Sequence, residues 1–109
     1  PGDAIYIPSL WWHHVESLSD VNVLINYWWR ETPSYLGLPQ DALLHSMLSV
    51  RDLPEHQKKQ WQRIFNHYVF ESKPECFDHI PESQKGLLAP TDLSLARKFR
   101  ALILGNLNR

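Results

Sequence analysis

Two adjacent histidines, His13 and His14, are the residues of this chain whose type and setting best suit metal chemistry. They follow Trp11 and Trp12, and His13 lies five residues after Pro8, which ends a short β-prone segment. A redox metal needs a neutral imidazole on a rigid strand, so that the nitrogen lone pair is aimed without a large ordering cost. Neighbouring indole rings would keep bulk water away. The plain alternative is a pair of packed histidines, each bonded to a backbone carbonyl.

The spacing around these histidines resembles the second cupin motif, in which glycine, proline, glycine, histidine and asparagine recur at fixed intervals. Gly2, Pro8 and His13 occupy three of those positions, whereas Leu10 replaces the second glycine and Ser17 replaces the asparagine. The longer string PGDAIYIPSLWWHHVESL is similar to the cupin-like jumonji-C oxygenases, a group that includes the hypoxia-pathway asparaginyl hydroxylase. The resemblance covers residues 1–29.

This resemblance implies a site that depends on Fe(II) and 2-oxoglutarate. In the family, the first histidine of the pair is the distal ligand of a two-histidine, one-carboxylate iron centre, which assigns His13 to the metal. His14 would point away or support from behind. Asn26 and Trp28 match an Asn-x-Trp element beside the 2-oxoglutarate. No catalytic residue is assigned within the chain.

The other two iron ligands of the family come from an earlier His-x-Asp pair, and a cation that anchors 2-oxoglutarate also lies upstream. Residues 1–109 show neither at the required place, and one imidazole does not hold iron usefully. We therefore expect the chain to be a fragment that shows no turnover alone. His14-Val15-Glu16 also reads as a His-x-acid pair, but its third ligand would have to come from His45, His67 or His79. Cys76 and His79 have a zinc-like spacing without a second pair.

The sequence predicts an α+β fold: the last strands of a cupin double-stranded β-helix, or jelly roll, followed by a C-terminal helical bundle. The predicted parts are barrel strands over 1–29, a linker over 30–40 and a helical region over 41–109. Residues 4–7 and 21–28 are rich in β-branched and aromatic side chains, and 17–20 suit a turn. Alternation along 21–28 places Asn22, Leu24, Asn26 and Trp28 on one face, which suits a polar pocket, and Val21, Val23, Ile25 and Tyr27 on a core face.

Apolar residues recur at helical spacing through the second half of the chain. We expect one helix around 42–48 and a second that starts at 52–55, with Asp52 as its N-cap, and buries Trp61, Ile64, Phe65, Tyr68 and Val69. A short helix is expected over 75–79, and a last helix capped by Thr91. In the family member named above, helices after the barrel pair across a two-fold axis, so a homodimer through these helices is expected, with packing inside one chain as the alternative.

Composition excludes several classes of protein. Eleven basic and twelve acidic residues give a formal charge of −1, so neither a nucleic-acid nor a membrane partner is expected. The lone Cys76 cannot form an internal disulfide, which favours a reducing compartment and a cytoplasmic location.

The predicted function is the C-terminal portion of an Fe(II)- and 2-oxoglutarate-dependent hydroxylase that acts on a protein side chain or a small molecule. The alternative is a non-catalytic cupin-like or dimerisation module with a vestigial metal site.

Overall fold

The computed structural model describes residues 2–109, and its regular structure is helical. Three α-helices are present: α1 over Pro39–Ser49, α2 over Glu55–Phe65 and α3 over Leu93–Leu107. A π-helix, Asn66–Phe70, continues α2 directly. Short 3-10 helices occupy Pro74–Phe77, Glu82–Gln84 and Gly86–Leu88.

The predicted jelly-roll strands are wrong, because no β-strand forms anywhere in residues 2–109. Residues 2–38 form extended chain and turns. The predicted core face of residues 21–27 is solvent-exposed; Val23, for example, is 87% exposed. Strands need a partner that shares their backbone hydrogen bonds, and an isolated pair is marginal in water. The described residues supply no third strand, so β-propensity alone does not produce a sheet.

The segment before residue 35 nevertheless folds back on itself. A network of serine and asparagine side chains builds a turn: the Ser17 hydroxyl donates to the Ser19 carbonyl at 3.0 Å, and Asn22 donates to both serines. At the open end, the rings of Tyr6 and Trp29 stack with centroids 5.9 Å apart. The segments predicted as strands therefore approach each other at that end without forming a backbone ladder.

The helices form where the apolar spacing predicts them, but their ends differ from the prediction. Helix α2 begins at Glu55 after Pro54, with no side-chain cap, so Asp52 is not its N-cap. Asp92 caps α3, accepting a hydrogen bond from the Leu95 amide at 2.7 Å. Thr91 is therefore not the cap. An Asp carboxylate at this position both bonds an otherwise unpaired N–H and favours the positive end of the helix dipole.

The packed part of the molecule is small. Its buried apolar residues are Phe77, Leu95 and Ala96. Phe77 lies parallel to the Tyr68 ring, with centroids 6.1 Å apart and a 4° angle between planes, and meets the His67 ring edge-on at 6.0 Å. The rest of the predicted apolar face of α2 stays more open than expected, with Trp61 43% exposed.

The overall dimensions confirm that much apolar surface lacks a covering layer. The chain exposes 10784 Å², whereas a compact monomer of 12.8 kDa would expose about 6,300 Å². The radius of gyration is 19.8 Å, against roughly 13 Å for a compact domain of this length. The excess lies chiefly in residues 2–34, where every residue except the half-buried Pro8 is exposed.

Candidate metal-ligand segment

A tight turn places His13 after the first extended segment. The Trp11 amide donates to the Pro8 carbonyl at 3.3 Å, which closes the turn Pro8-Ser9-Leu10-Trp11. Leu10 has a φ of 68°, the left-handed value that a type II turn requires at its third residue and that normally selects glycine. The cupin motif has glycine at this position. Leu10 therefore adopts a left-handed conformation that costs an L-residue about 1–2 kcal/mol.

The His13 ring is oriented by the chain that precedes it. Its Nδ1 lies 3.0 Å from the Trp11 carbonyl oxygen. A carbonyl only accepts, so this contact requires a proton on Nδ1 and leaves the lone pair of a neutral imidazole on Nε2. A hydrogen bond from one ring nitrogen to a carbonyl is also the usual way in which proteins fix a metal-binding histidine. The ring is exposed and bonded to a backbone carbonyl. The assignment of His13 to a metal stays a prediction, with a structural histidine as the alternative.

The other predicted site residues lie on the returning segment. Asn26 and Trp28 are both exposed, Trp28 at 86%. In residues 2–109 no hydrogen bond joins either of them to His13. The neighbouring residue Trp29 stacks on the Tyr6 ring. The assignment of Asn26 and Trp28 to 2-oxoglutarate stays a prediction.

The chain does not assemble a complete metal site. Over the described residues 2–109, no three His, Cys, Asp or Glu side chains come together in a way that could hold a metal ion. The alternatives built on His14 and Glu16, or on Cys76 and His79, therefore gain no further ligand in this part of the chain. Cys76 is exposed. A mononuclear iron oxygenase centre takes three protein ligands, so the described residues fit one position of such a centre and not the whole.

Two features of the site region were not predicted. The Nδ1 contact to Trp11 had no signal beyond the adjacency of the residues. The left-handed backbone at Leu10 did have one, namely that Leu10 departs from a glycine position of the motif.

Within residues 2–109, no helix is both long and apolar enough to cross a membrane.

Comparison with known proteins finds similarity in the same segment. Residues 1–35, the region that contains the turn and His13, match the family model of the cupin-like domain. No solved structure matches the chain. The matched region is the one where the histidine pair and the motif spacing lie, and the matches together support a relationship to cupin-like, jumonji-C-like proteins.

Individual relatives extend the similarity into the helical region. HSPB1-associated protein 1 of Mus musculus is 32% identical over 63 residues, which are 56% of this chain and 13% of that protein. The Homo sapiens protein of that name is 33% identical over 56 residues, 51% of this chain and 12% of its own length. Lysine-specific demethylase JMJ31 of Arabidopsis thaliana is 29% identical over 83 residues, 74% of this chain and 12% of the demethylase. The chain thus spans about an eighth of the length of these relatives.

Proposed function

We propose that residues 2–35 supply one histidine ligand, His13, to the Fe(II) centre of a 2-oxoglutarate-dependent oxygenase of the cupin-like, jumonji-C class. The observation that carries the proposal is the His13 ring itself. Its Nδ1 faces the Trp11 carbonyl at 3.0 Å, which leaves Nε2 as the free donor atom. The motif spacing and the cupin-like match over residues 1–35 support it.

The similarity to a lysine-specific demethylase bears on the class of reaction. In this class O2 is the oxidant. One of its oxygen atoms would enter the substrate C–H bond as a hydroxyl, and the other would enter succinate as 2-oxoglutarate loses CO2, with Fe(II) as the metal that His13 would help to hold. A protein side chain and a small molecule both suit such chemistry. Asn26 and Trp28 would contribute to the 2-oxoglutarate side of the site, and a homodimer through the C-terminal helices is part of the same proposal.

The remaining two metal ligands in this proposal come from polypeptide outside residues 1–109, since the described residues bring no second and third ligand to His13. No reaction step is therefore assigned to this chain. Its contribution is to orient one imidazole and to place two tryptophans beside it.

The test is a titration of Mn(II), a redox-stable substitute for Fe(II), into the intact protein and into its His13→Ala and His14→Ala variants. Loss of a residue that only supports a metal ligand typically weakens metal binding by about 10- to 100-fold. Loss of the ligand His13 itself should therefore weaken Mn(II) binding by about 100-fold or more. His14→Ala should bind nearly as the parent does. Equal binding by the parent and His13→Ala would refute the ligand assignment. The 109-residue chain alone should form no succinate from 2-oxoglutarate.

A second candidate is a non-catalytic cupin-like module. Residues 2–109 contain no cluster of three possible metal ligands. This fits a non-catalytic module as well as it fits an iron site whose other ligands come from elsewhere. The same titration separates the two, because a vestigial site would leave the intact parent without a Mn(II) site that depends on His13.

A further inference from the structure

Tyr35 is the place where the chain passes from exposed to packed. Between residues 2 and 34 only Pro8 is even half-buried, whereas Tyr35 and Leu36 both are. Residue 35 is also the last residue of the cupin-like match. Contacts that hold Tyr35 in place therefore also hold the C-terminal end of residues 2–34, the segment that contains His13.

Two hydrogen bonds join Tyr35 to α3, one just before its first residue and one at its middle. Its hydroxyl donates to the Thr91 carbonyl at 3.2 Å, and the Arg100 guanidinium donates to its backbone carbonyl. The partners are 56 and 65 residues away in sequence. Every other side-chain hydrogen bond within residues 2–109 joins residues no more than six apart. Tyr35 is thus tied through both its side chain and its backbone to one distant element.

Both sides of this contact also have hydrogen bonds of their own. On the Tyr35 side, the Leu36 amide donates to the Pro33 carbonyl at 3.1 Å, and Arg30 donates to the Leu36 carbonyl at 3.4 Å. On the α3 side, the Asp92 cap fixes the first turn of the helix next to the Thr91 carbonyl. A cavity of about 150 Å³ between them is lined from both sides, by Leu36 and by Phe99 of α3 among others.

We propose that Tyr35 and Arg100 are positioning residues that set the orientation of residues 2–34, and so of His13, relative to the helical region. We call the two hydrogen bonds from Tyr35 to Thr91 and Arg100 the tether. The tether is a property of this chain, and the proposal rests on the proposed function only where it takes His13 to be a metal ligand. Because residues 2–34 make little other packing, a loss of either bond lets the segment pivot at residue 35. A metal ligand has to be held within about 0.5 Å of its working position, so such a pivot would matter at His13.

The tether is tested in the 109-residue chain by amide hydrogen exchange over residues 34–36 and by NMR of the Trp28 and Trp29 indole N–H groups and the His13 ring. The variants are Arg100→Ala, which removes the bond to the backbone, and Tyr35→Phe, which removes only the hydroxyl. Arg97→Ala is the matched control: it removes the same charge from an exposed position of the same helix. Arg100→Lys tests rescue, since an ammonium group can still donate to the Tyr35 carbonyl.

We expect exchange over 34–36 to accelerate about two- to tenfold in Arg100→Ala and in Tyr35→Phe, the range that one net hydrogen bond gives. The indole and His13 resonances should shift or broaden in both variants, stay at parent positions in Arg97→Ala, and return toward them in Arg100→Lys. Far-UV circular dichroism shows whether the helices persist, and Tyr35→Phe, which keeps the ring, is the variant least able to unfold them.

Unchanged exchange in both variants, or equal changes in Arg97→Ala, would overturn the tether. Accelerated exchange with unmoved Trp28, Trp29 and His13 resonances would overturn the positioning role. The Mn(II) titration of His13→Ala decides the proposed function separately, because none of the readouts on the tether involves a metal.

Discussion

Apolar side chains make up similar fractions of residues 2–34 and of residues 39–107, but the two regions bury them differently. Trp12 is 100% exposed, whereas Phe77 is 8% and Leu95 is 9% exposed. A helix satisfies its backbone within its own turn, so the helical region keeps its secondary structure and needs only a few contacts to build a small core. Extended segments satisfy their backbone through neighbours. The extended region, residues 2–34, therefore depends on contacts that residues 2–109 do not supply.

The sharpest way to break this comparison is to remove the centre of the helical core. Phe77→Ala should destabilise the chain by about 3 kcal/mol, because it removes a buried ring and its aromatic contacts with Tyr68 and His67. Urea unfolding followed by circular dichroism measures it. Phe70→Ala is the matched control at a 75% exposed position and should cost much less. Equal losses for the two would show that the helical region has no defined core.

The capping of α3 gives a smaller effect with a built-in control. Asp92→Ala should cost about 1 kcal/mol, because it leaves the Leu95 amide without its acceptor. Thr91→Ala removes only a side chain, while the backbone carbonyl that accepts from Tyr35 remains, and should be nearly neutral. The same unfolding measurement applies. A larger loss for Thr91→Ala than for Asp92→Ala would contradict the assignment of the cap.

In the extended region, Leu10→Gly should favour the Pro8–Trp11 turn by about 0.5–1 kcal/mol. Glycine takes a positive φ without steric cost, although its freer unfolded chain offsets part of the gain. The population of the turn can be followed by NMR through the Trp11 amide temperature coefficient and the Leu10 coupling constant. Leu10→Ala keeps the steric cost and should not raise the population. A gain with alanine equal to that with glycine would show that φ is not the cause.

The smallest effect should come from the most exposed tryptophan. Trp12→Ala should change the free energy of unfolding of this chain by less than about 0.5 kcal/mol, as is usual for surface positions. The measurement is again urea unfolding, with Phe77→Ala as the reference for a buried ring. A loss above 1 kcal/mol would show that the extended region packs in solution, and the contrast between the two regions would disappear.

Local signals in the sequence predicted the helices but not the extended region, where the strands expected over 4–7 and 21–28 do not form. The helices follow from apolar spacing, and the turn at 17–20 follows from the turn-forming residues of that stretch, whereas the hydrogen bonds from Asn22 were not predicted. The positive φ of Leu10, found at no other non-glycine residue among 2–109, was not predicted, although Leu10 stands at a glycine position of the motif. The caps were less predictable, since Thr91 and Asp92 are adjacent and both suitable, and only the backbone geometry chooses between them.

The sequence by itself identified His13 as a candidate metal ligand, because motif spacing and residue type are local properties, and His13 lies in the segment that matches the cupin-like domain. Tertiary structure decided the rest. It showed that strand-forming residues do not become strands without partners to share their hydrogen bonds. It also joined Tyr35 to Arg100 across 65 residues, a contact that no local pattern encodes, because it exists only once α3 and the turn at residue 35 have been brought side by side.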